Sequence, residues 1–398
     1  MDNRFSAKPS ASGYLYQFQS ALLLLLDSTE ESSVSLEVLD DVSIERDGVP
    51  KDLIQLKLHK VREANLTDSS PDLWKTIRIW AEHLLAGRIS LPEARLFLIT
   101  TAVAQDGSIA KCLRREAVDR ESVQSKLVEI AINSENNALK PAFNAFLALD
   151  SESRQDLINA IVVIDGAPGI NDVRKAVRAR LGLGIRAEHI DKVHQRIDGW
   201  WLEKVVAQLG DGAFPISRLE VVRKIADIAD EYKSDSLPIE FRDAIPAAGI
   251  SPGTDERLFV RQLREIGVST KRLEKAILDY YRATEQRSKW IREDLIVDSE
   301  LISYERCLID EWERFSIACY EGLAETQKGD QKELERCGKK VFDHFDLAAD
   351  IRIRPRVTAQ YIMRGSFHIL ANNLPPQVYW CPNFLDKIKS LIEKAEKE

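Results

Sequence analysis

Apolar and polar residues alternate over 53–59, a pattern that is typical of a half-buried β-strand. The strand has an apolar face and a polar face, formed by Ile54, Leu56 and Leu58 and by Gln55, Lys57 and His59. A second strand is predicted over 33–45, and Asp47-Gly48 is a strong signal for a tight turn that joins the two strands. A lysine among apolar strand residues is unfavourable unless its charge is used, so the polar face is the first candidate for function.

Patterns around this hairpin predict a compact α/β unit. Helices are predicted over 13–27 and 73–85, a strand over 95–101 and a further candidate strand over 161–165. Beyond about residue 120 the apolar spacing is nearly all helical, which predicts a mostly helical middle region.

The clustering of prolines and glycines over 236–254 predicts a linker, and long amphipathic helices follow it. We therefore expect two domains. The first covers 1–235, with an α/β core over about 10–120 and a helical extension over about 121–235, and the second is an α-helical C-terminal domain over 255–398.

Composition limits the possible classes of protein. The chain of 398 residues is 44% hydrophobic and 30% charged, which is ordinary for a soluble protein of two or three domains. Its net charge of −8 means that any nucleic-acid surface is a local patch or is completed by a partner. No apolar run approaches the roughly 20 residues that span a bilayer, and the first residues do not resemble a secretory signal. The 5 cysteines are scattered and form no CxxC pair, which disfavours structural zinc and disulfides and favours a reducing cytoplasm.

An acid upstream of a Gln-x-Lys strand resembles the site of one large class of metal-dependent nucleases, and this resemblance implies chemistry on phosphodiesters. Their hydrolysis needs a divalent ion that activates water and neutralises charge on the phosphate, and Mg²⁺ prefers oxygen ligands. Asp41 offers a carboxylate, Gln55 an amide oxygen and Leu56 a backbone carbonyl. Lys57 is placed to orient the attacking water or to stabilise the charge that develops on the phosphate.

Two further acids lie close to Asp41. Glu37 has the same parity as Asp41 on the predicted strand and is a second candidate acid, whereas a regular strand points Asp40 to the opposite face unless a bulge exchanges the two. Gln17 on the first helix is a further candidate for the site. The alternative is structural, because an isolated Gln-x-Lys occurs by chance and a single histidine such as His59 is more often an ordinary polar residue than a ligand.

Basic residues give weaker signals for DNA binding. Arg174 and Arg178 lie one helical turn apart, where they can contact phosphates, although a solvated helix face is the more common explanation. The candidate DNA-contacting residues are Lys111, Arg114, Arg115, Arg174 and Arg178. The sequence has no G-x-x-x-x-G-K-[ST] motif, so the chain is not a P-loop ATPase by motif.

Four motifs together resemble the double-stranded DNA endonuclease domain of CBASS antiviral effectors, over roughly residues 10–230. They are Gly13-Tyr14-Leu15-Tyr16-Gln17, Glu37-x-x-Asp40-Asp41-Val42, Gln55-Leu56-Lys57 and Trp74-x-x-x-x-x-Trp80. The resemblance implies a PD-(D/E)xK restriction-endonuclease-like core of the Mrr-like branch, in which glutamine replaces the consensus acid. It implies Mg²⁺ or Mn²⁺ as cofactor and catalytic roles for Asp41, Gln55 and Lys57, with Glu37 carried over less directly.

The C-terminal half resembles the C-terminal domain of ABC-three-component systems. The motifs include Tyr280-Tyr281-Arg282-Ala283, Arg364-Gly365-Ser366-Phe367-His368 and Tyr379-Trp380-Cys381-Pro382. A nuclease joined to this domain looks like the nuclease subunit of Lamassu-type defence systems. That resemblance implies double-stranded DNA as substrate, an SMC-like ATPase and a third small subunit as partners, and self-association of the released nuclease.

Two alternatives remain open at this point. One is a non-catalytic adaptor with a degenerate nuclease fold that binds DNA or partners. The other is a CBASS-type nuclease that is gated by a cyclic oligonucleotide.

Overall fold

The protein is described by a computed structural model, which covers residues 7–59, 64–91, 93–116, 120–182, 184–210 and 214–384. The chain divides into two compact units, Met1–Ala229 and Asp230–Glu398. No helix within the described residues is both long enough and apolar enough to cross a membrane.

A mixed six-stranded sheet organises the first unit, with a separate parallel pair beside it. The strands are β1 (Ser32–Leu36), β2 (Val42–Arg46), β3 (Val49–Lys57), β4 (Asn65–Leu66), β5 (Arg95–Thr100), β6 (Val103–Ala104), β7 (Ile161–Ile164) and β8 (Ile216–Ser217). In the large sheet the order is β7-β5-β3-β2-β1-β8. Strands β1, β2 and β3 form an antiparallel meander, whereas β3, β5 and β7 are parallel.

Nine α-helices of the described residues belong wholly or mainly to this unit. They are α1 (Lys8–Leu26), α2 (Pro71–Leu85), α3 (Ile109–Cys112), α4 (Glu121–Asn133), α5 (Lys140–Ala148), α6 (Ser151–Ala160), α7 (Ile170–Leu181), α8 (Ile190–Leu209) and α9 (Arg218–Glu231). A proline in the first turn starts α2, where its fixed φ suits a helix and its missing N–H is not needed. The buried face of α2 carries Trp74, Ile77 and Trp80.

Helix α2 shares a hydrophobic core with β3 and β5. Leu53 of β3 and Leu96 and Leu98 of β5 belong to the same buried cluster as Trp74 and Trp80. Side chains alternate along a strand, so Gln55 and Lys57 lie on the same face of β3 as Leu53. The polar residues of β3 therefore lie on the face that α2 covers.

The single strand predicted over 33–45 is wrong, because the chain forms a hairpin there. Strand β1 ends at Leu36, which pairs with Val42 at the start of antiparallel β2. Glu37 has a φ of +55° and its N–H donates to the carbonyl of Asp41, which closes the connection over 37–41. The acids that the sequence placed along a strand therefore lie in and beside a turn.

The tight turn predicted at Asp47-Gly48 is present between β2 and β3. Arg46 pairs with Val49, and both residues between them have positive φ, +54° and +71°. Such angles characterise the type I′ hairpin turn that fits the twist of the strands.

The regular secondary structure of the second unit, within its described residues, is all α-helical. Its helices are α10 (Leu258–Glu265), α11 (Thr270–Arg292), α12 (Asp298–Glu321), α13 (Glu325–Lys328), α14 (Gln331–Leu347) and α15 (Gln360–Asn372). Helices α11 and α15 pack so closely at Gly365 that a Cβ atom there would overlap with the carbonyl oxygen of Asp279 and the Cβ of Ala283.

The segment 236–254, predicted as a linker, is instead part of the second unit and packs along α11. Trp290 Nε1 donates to the carbonyl of Pro238 over 2.7 Å, and Gln286 Oε1 accepts from the N–H of Glu240 over 2.8 Å. Arg282 Nε donates to the carbonyl of Ala244 over 2.9 Å. Proline and glycine content predicted an irregular backbone correctly, but the polar side chains of α11 hold that backbone in place.

Candidate active site

Strand register brings the predicted site residues together. Val42 of β2 pairs with Ile54 of antiparallel β3. Asp41, one residue before Val42, therefore lies opposite Gln55, one residue after Ile54. Gln55 Nε2 donates to Asp41 Oδ1 over 3.0 Å, and the N–H of Leu56 donates to Asp41 Oδ2 over 2.8 Å. Asp41 is therefore held by both the side chain and the backbone of β3.

Lys57 completes this group from the same strand. Its Nζ donates to Gln55 Oε1 over 2.6 Å and lies 3.7 Å from Asp41 Oδ2. The Lys57 side chain is 25% exposed, whereas the Gln55 residue is only 3% exposed. The ammonium group thus lies beside a buried amide and carboxylate, on a side chain that is partly accessible to solvent.

Asp40 belongs to the site, although a regular strand would have pointed it away. Gln55 Nε2 donates to Asp40 Oδ1, and Trp80 Nε1 donates to Asp40 Oδ2 over 2.7 Å. Burial is the main cause that raises the pKa of Asp40 to about 6; the hydrogen bonds from Trp80 and Gln55 oppose this rise, and the charge of Asp41 adds to it. The signal for this position was Trp80, whose indole N–H needs an acceptor when the ring is buried.

Glu37 lies in the turn after β1 rather than on a strand face. Burial raises the pKa of Glu37, and the negative charge of Asp41 raises it further. Lys57 and a hydrogen bond with Gln17 of α1 act in the opposite direction. Glu37 is thus within electrostatic range of Asp41 and Lys57, and Gln17 approaches the site as the sequence suggested.

The oxygen atoms at this place suit a hard divalent cation. The carboxylates of Asp40 and Asp41 are buried, and each accepts hydrogen bonds from Gln55. Lys57 O accepts from Thr101 N on the β5 side. Successive carbonyls point to opposite sides of a strand, so the carbonyl of Leu56 points toward Asp41.

The orientation of the Gln55 amide and the number of acidic side chains determine how a cation would bind here. Gln55 now presents its amide nitrogen to the acids and its oxygen to Lys57, so the amide must turn over before Oε1 can ligate a cation. Within the described part of the chain, no group of three or more His, Cys, Asp or Glu residues could hold a metal ion. A cation here would therefore depend on amide and backbone oxygens beside the carboxylates, which Mg²⁺ accepts together with water.

Most of the basic residues predicted to contact DNA have acidic partners. Most of these pairs lie at the surface, where ion pairs contribute little stability, so exchange of the acid for a phosphate costs little. The pair of Arg114 is the exception, because the side chain of Asp165 is only 4% exposed. Arg115 is exposed. The pairs are Lys111 with Asp106, Arg114 with Asp165, Arg174 with Asp198 and Arg178 with Asp191.

Comparison with solved structures gives only remote likenesses. The Cap4 SAVED/CARF-domain containing receptor of Acinetobacter baumannii matches with 12% identity and a TM-score of 0.32, over 55% of this chain and 47% of the receptor chain. Its structure with the cyclic trinucleotide 2'3'3'-cAAA matches with 11% identity and a TM-score of 0.32, over 64% and 57% of the two chains. This chain thus spans about half of the length of these receptors. A TM-score of 0.32 is too low to establish a shared fold.

A family model matches part of the second unit. Residues 259–388 match C-terminal domain 7 of the ABC-three component (ABC-3C) systems. No curated protein matches the chain significantly. The matched domain supports membership of this chain in an ABC-three-component defence system.

Proposed function

We propose that the chain is the metal-dependent DNA endonuclease subunit of a Lamassu-type antiphage or antiplasmid complex. One observation carries the proposal: Asp41, Gln55 and Lys57 meet at the carboxyl end of β3, with Asp40 and Glu37 beside them. A buried pair of acids, an amide and an amine at one place are expensive to maintain without a function, because each loses hydration.

The topology of the first unit supports this proposal. An antiparallel β1-β2-β3 meander leads through α2 to β5, which is parallel to β3. The acids precede β2 and the Gln-x-Lys motif ends β3. This order agrees with the PD-(D/E)xK restriction-endonuclease-like core that the sequence resemblance implies.

Each residue of the site has a separate role in the proposed hydrolysis of the phosphodiester. Asp41, Gln55 and the carbonyl of Leu56 would hold Mg²⁺ or Mn²⁺, which when bound supplies charge neutralisation and a more acidic water. Lys57 orients the attacking water and stabilises negative charge on the phosphate. Asp40, anchored by Trp80, holds the backbone N–H of Asp41 in place, and it accepts from the Gln55 amide until that amide turns its oxygen toward a cation.

The family match of the second unit and the missing P-loop motif support the proposed protein partners. The match over 259–388 supports docking of the helical unit onto the other components of the system. The absence of a P-loop motif from the sequence fits an SMC-like ATPase supplied in trans, with a third small subunit that restrains the nuclease. Double-stranded DNA is the substrate, and the released nuclease units self-associate.

Cleavage of plasmid DNA by the purified chain, alone and with its partner subunits, tests the proposal. Activity is expected with Mg²⁺ or Mn²⁺ and not with EDTA, and Asp41→Ala and Lys57→Ala are each expected to abolish it. Lys51→Ala is the matched control, since Lys51 is also on β3 but its Nζ lies 3.5 Å from Glu93 instead. Full activity of both site variants would refute the assignment.

Two further outcomes separate the alternatives. DNA binding without cleavage under all these conditions would favour a non-catalytic adaptor. Cleavage that starts only when cyclic oligonucleotides are added, without the ATPase, would favour a nuclease of the CBASS type.

A further inference from the structure

His59 and Asp72 form a pair at the end of β3. His59 Nε2 lies 2.6 Å from Asp72 Oδ2, within hydrogen-bonding distance. Asp72 is in the first turn of α2, where the helix dipole favours a negative charge. The side chains of His59 and Asp72 are 34% and 24% exposed, so the pair is reachable from solvent.

Hydrogen bonds with Thr101 hold His59 beside the end of β3, two residues beyond Lys57. Thr101 N donates to Lys57 O over 3.1 Å, and His59 N donates to Thr101 Oγ1 over 2.7 Å. The second bond goes to the side-chain hydroxyl of Thr101 and not to its carbonyl, so Thr101 anchors the chain at both residue 57 and residue 59. Two residues of chain span at most about 7 Å, so the Cα atom of His59 lies within about that distance of the Cα atom of Lys57.

The roles proposed for Asp41, Gln55 and Lys57 leave the proton for the leaving oxygen unassigned. When a phosphodiester bond breaks, the departing oxygen takes up an electron pair and needs a proton. Asp41, Gln55 and Lys57 are occupied with the cation, the water and the phosphate. A histidine two residues beyond Lys57, with its ring orientation fixed by a carboxylate, has the arrangement in which proteins use imidazole for proton transfer.

We propose that His59 donates a proton from Nδ1 to the leaving oxygen, with Asp72 as its positioning residue. The inference rests on the proposed nuclease function. In this step the water oxygen forms a bond to phosphorus and the bond from phosphorus to the bridging oxygen breaks. The Nδ1 proton passes to that oxygen, the attacking water loses its proton to solvent, and neutral His59 keeps a proton on Nε2 toward Asp72.

A purely structural role predicts a different behaviour. If the pair only ties the start of α2 to the end of β3, its loss lowers stability and slows cleavage of every substrate equally. A proton donor is needed only when the leaving group is basic. Replacement of the bridging oxygen by sulfur gives a leaving thiolate of much lower basicity, which departs without a proton.

The experiment compares ordinary DNA with DNA that carries a bridging phosphorothiolate at the cleaved position, in the full complex with Mn²⁺. Both the 3′- and the 5′-bridging sulfur substrates are used, and the ends of the wild-type products identify the one that applies. His59→Gln is expected to slow cleavage of ordinary DNA by about 100-fold or more, and cleavage of the sulfur substrate by less than about tenfold. Asp72→Asn is expected to show the same selective loss to a smaller degree.

His189→Gln is the control for the loss of a histidine elsewhere in the first unit, and His59→Asn replaces His59→Gln if that variant does not fold. Equal rates for wild type and His59→Gln, or equal slowing on both substrates, would overturn the role of His59 while leaving the nuclease proposal intact. Failure of the wild-type complex to cleave either substrate would overturn the proposed function and this inference together.

Discussion

Trp80 Nε1 donates a hydrogen bond of 2.7 Å to Asp40 Oδ2, and it ties the second helix to the acids that precede β2. Trp80 is fully buried and Asp40 is 5% exposed. The bond therefore satisfies two groups that water does not reach, and it fixes the acid that in turn holds Gln55.

Trp80→Phe tests this bond, because phenylalanine keeps the apolar packing and removes the donor. We expect a loss of about 1–3 kcal/mol in the free energy of unfolding, since Asp40 loses a buried partner. Cleavage should fall further than stability alone explains, because Asp40, which accepts the N–H of Asp41, loses its anchor. The measurements are urea denaturation and plasmid cleavage.

Trp74→Phe is the matched control for that variant. Trp74 is also fully buried on α2, but its Nε1 donates to the carbonyl of Asp68. It should lose comparable stability and keep its rate of cleavage by the folded protein. Equal losses of activity in the two variants would contradict a special role for the bond to Asp40.

The raised pKa of Asp40 predicts how stability depends on pH. A carboxyl whose pKa rises from 3.8 in the unfolded chain to about 6 in the fold binds more protons when folded. Its contribution to stability is thus fully present below pH 3.8 and is lost as pH rises through about 6. The full change is on the order of 3 kcal/mol.

Asp40→Asn should remove this dependence, and urea denaturation in EDTA between pH 4 and 7.5 measures it. Wild type should lose stability relative to Asp40→Asn as pH rises through that range. Asp279→Asn provides a comparison in the second unit, because burial raises the pKa of Asp279 to about 6 as well. A difference between wild type and Asp40→Asn that is constant with pH would contradict the raised pKa.

Local pattern predicted the β3 strand and the proximity of Asp41 to Gln55. Alternation fixed the face of Gln55 and Lys57, and the Asp47-Gly48 turn fixed the hairpin that brings Asp41 opposite. The strand face and the hairpin each depend on residues that are close in sequence, so they can be predicted without knowledge of distant contacts.

Asp40 and Glu37 could not be placed in the same way. Their positions depend on a turn that starts at Leu36, whose N–H bonds to the side chain of Gln208. A contact between residues that lie 172 positions apart leaves no local pattern in the sequence. The segment 236–254 was misjudged for the same reason, because its partners lie on α11.

Gly365→Ala is expected to damage the second unit selectively. The added methyl group would overlap with backbone and side-chain atoms of α11, and overpacking in a tight core costs about 1–3 kcal/mol or more. Gly253→Ala is the control, since no atom lies within 4 Å of its added Cβ. Hydrogen exchange should rise in α11 and α15 of the Gly365 variant and stay unchanged in β3, and binding to the partner subunits should weaken. Unchanged exchange in α11 would contradict the close helix contact.

Gln55→Glu restores the consensus acid of the PD-(D/E)xK motif, and it tests whether this place is built for a cation. Gln55 donates to both Asp40 and Asp41, so a glutamate would bring a third carboxylate against two others and lose both bonds. In EDTA we expect a loss of about 1–3 kcal/mol in stability, because like charges repel and the acids lose a donor. Mn²⁺ should then raise the melting temperature of Gln55→Glu more than that of wild type, since a cation relieves the repulsion.

Gln19→Glu is the matched control: Gln19 is 5% exposed and its Nε2 donates to Asp198 over 3.1 Å, away from the site. It should lose stability in EDTA and gain no more from Mn²⁺ than wild type does. An equal response of the two variants to Mn²⁺ would mean that the acids beside Gln55 do not bind the metal.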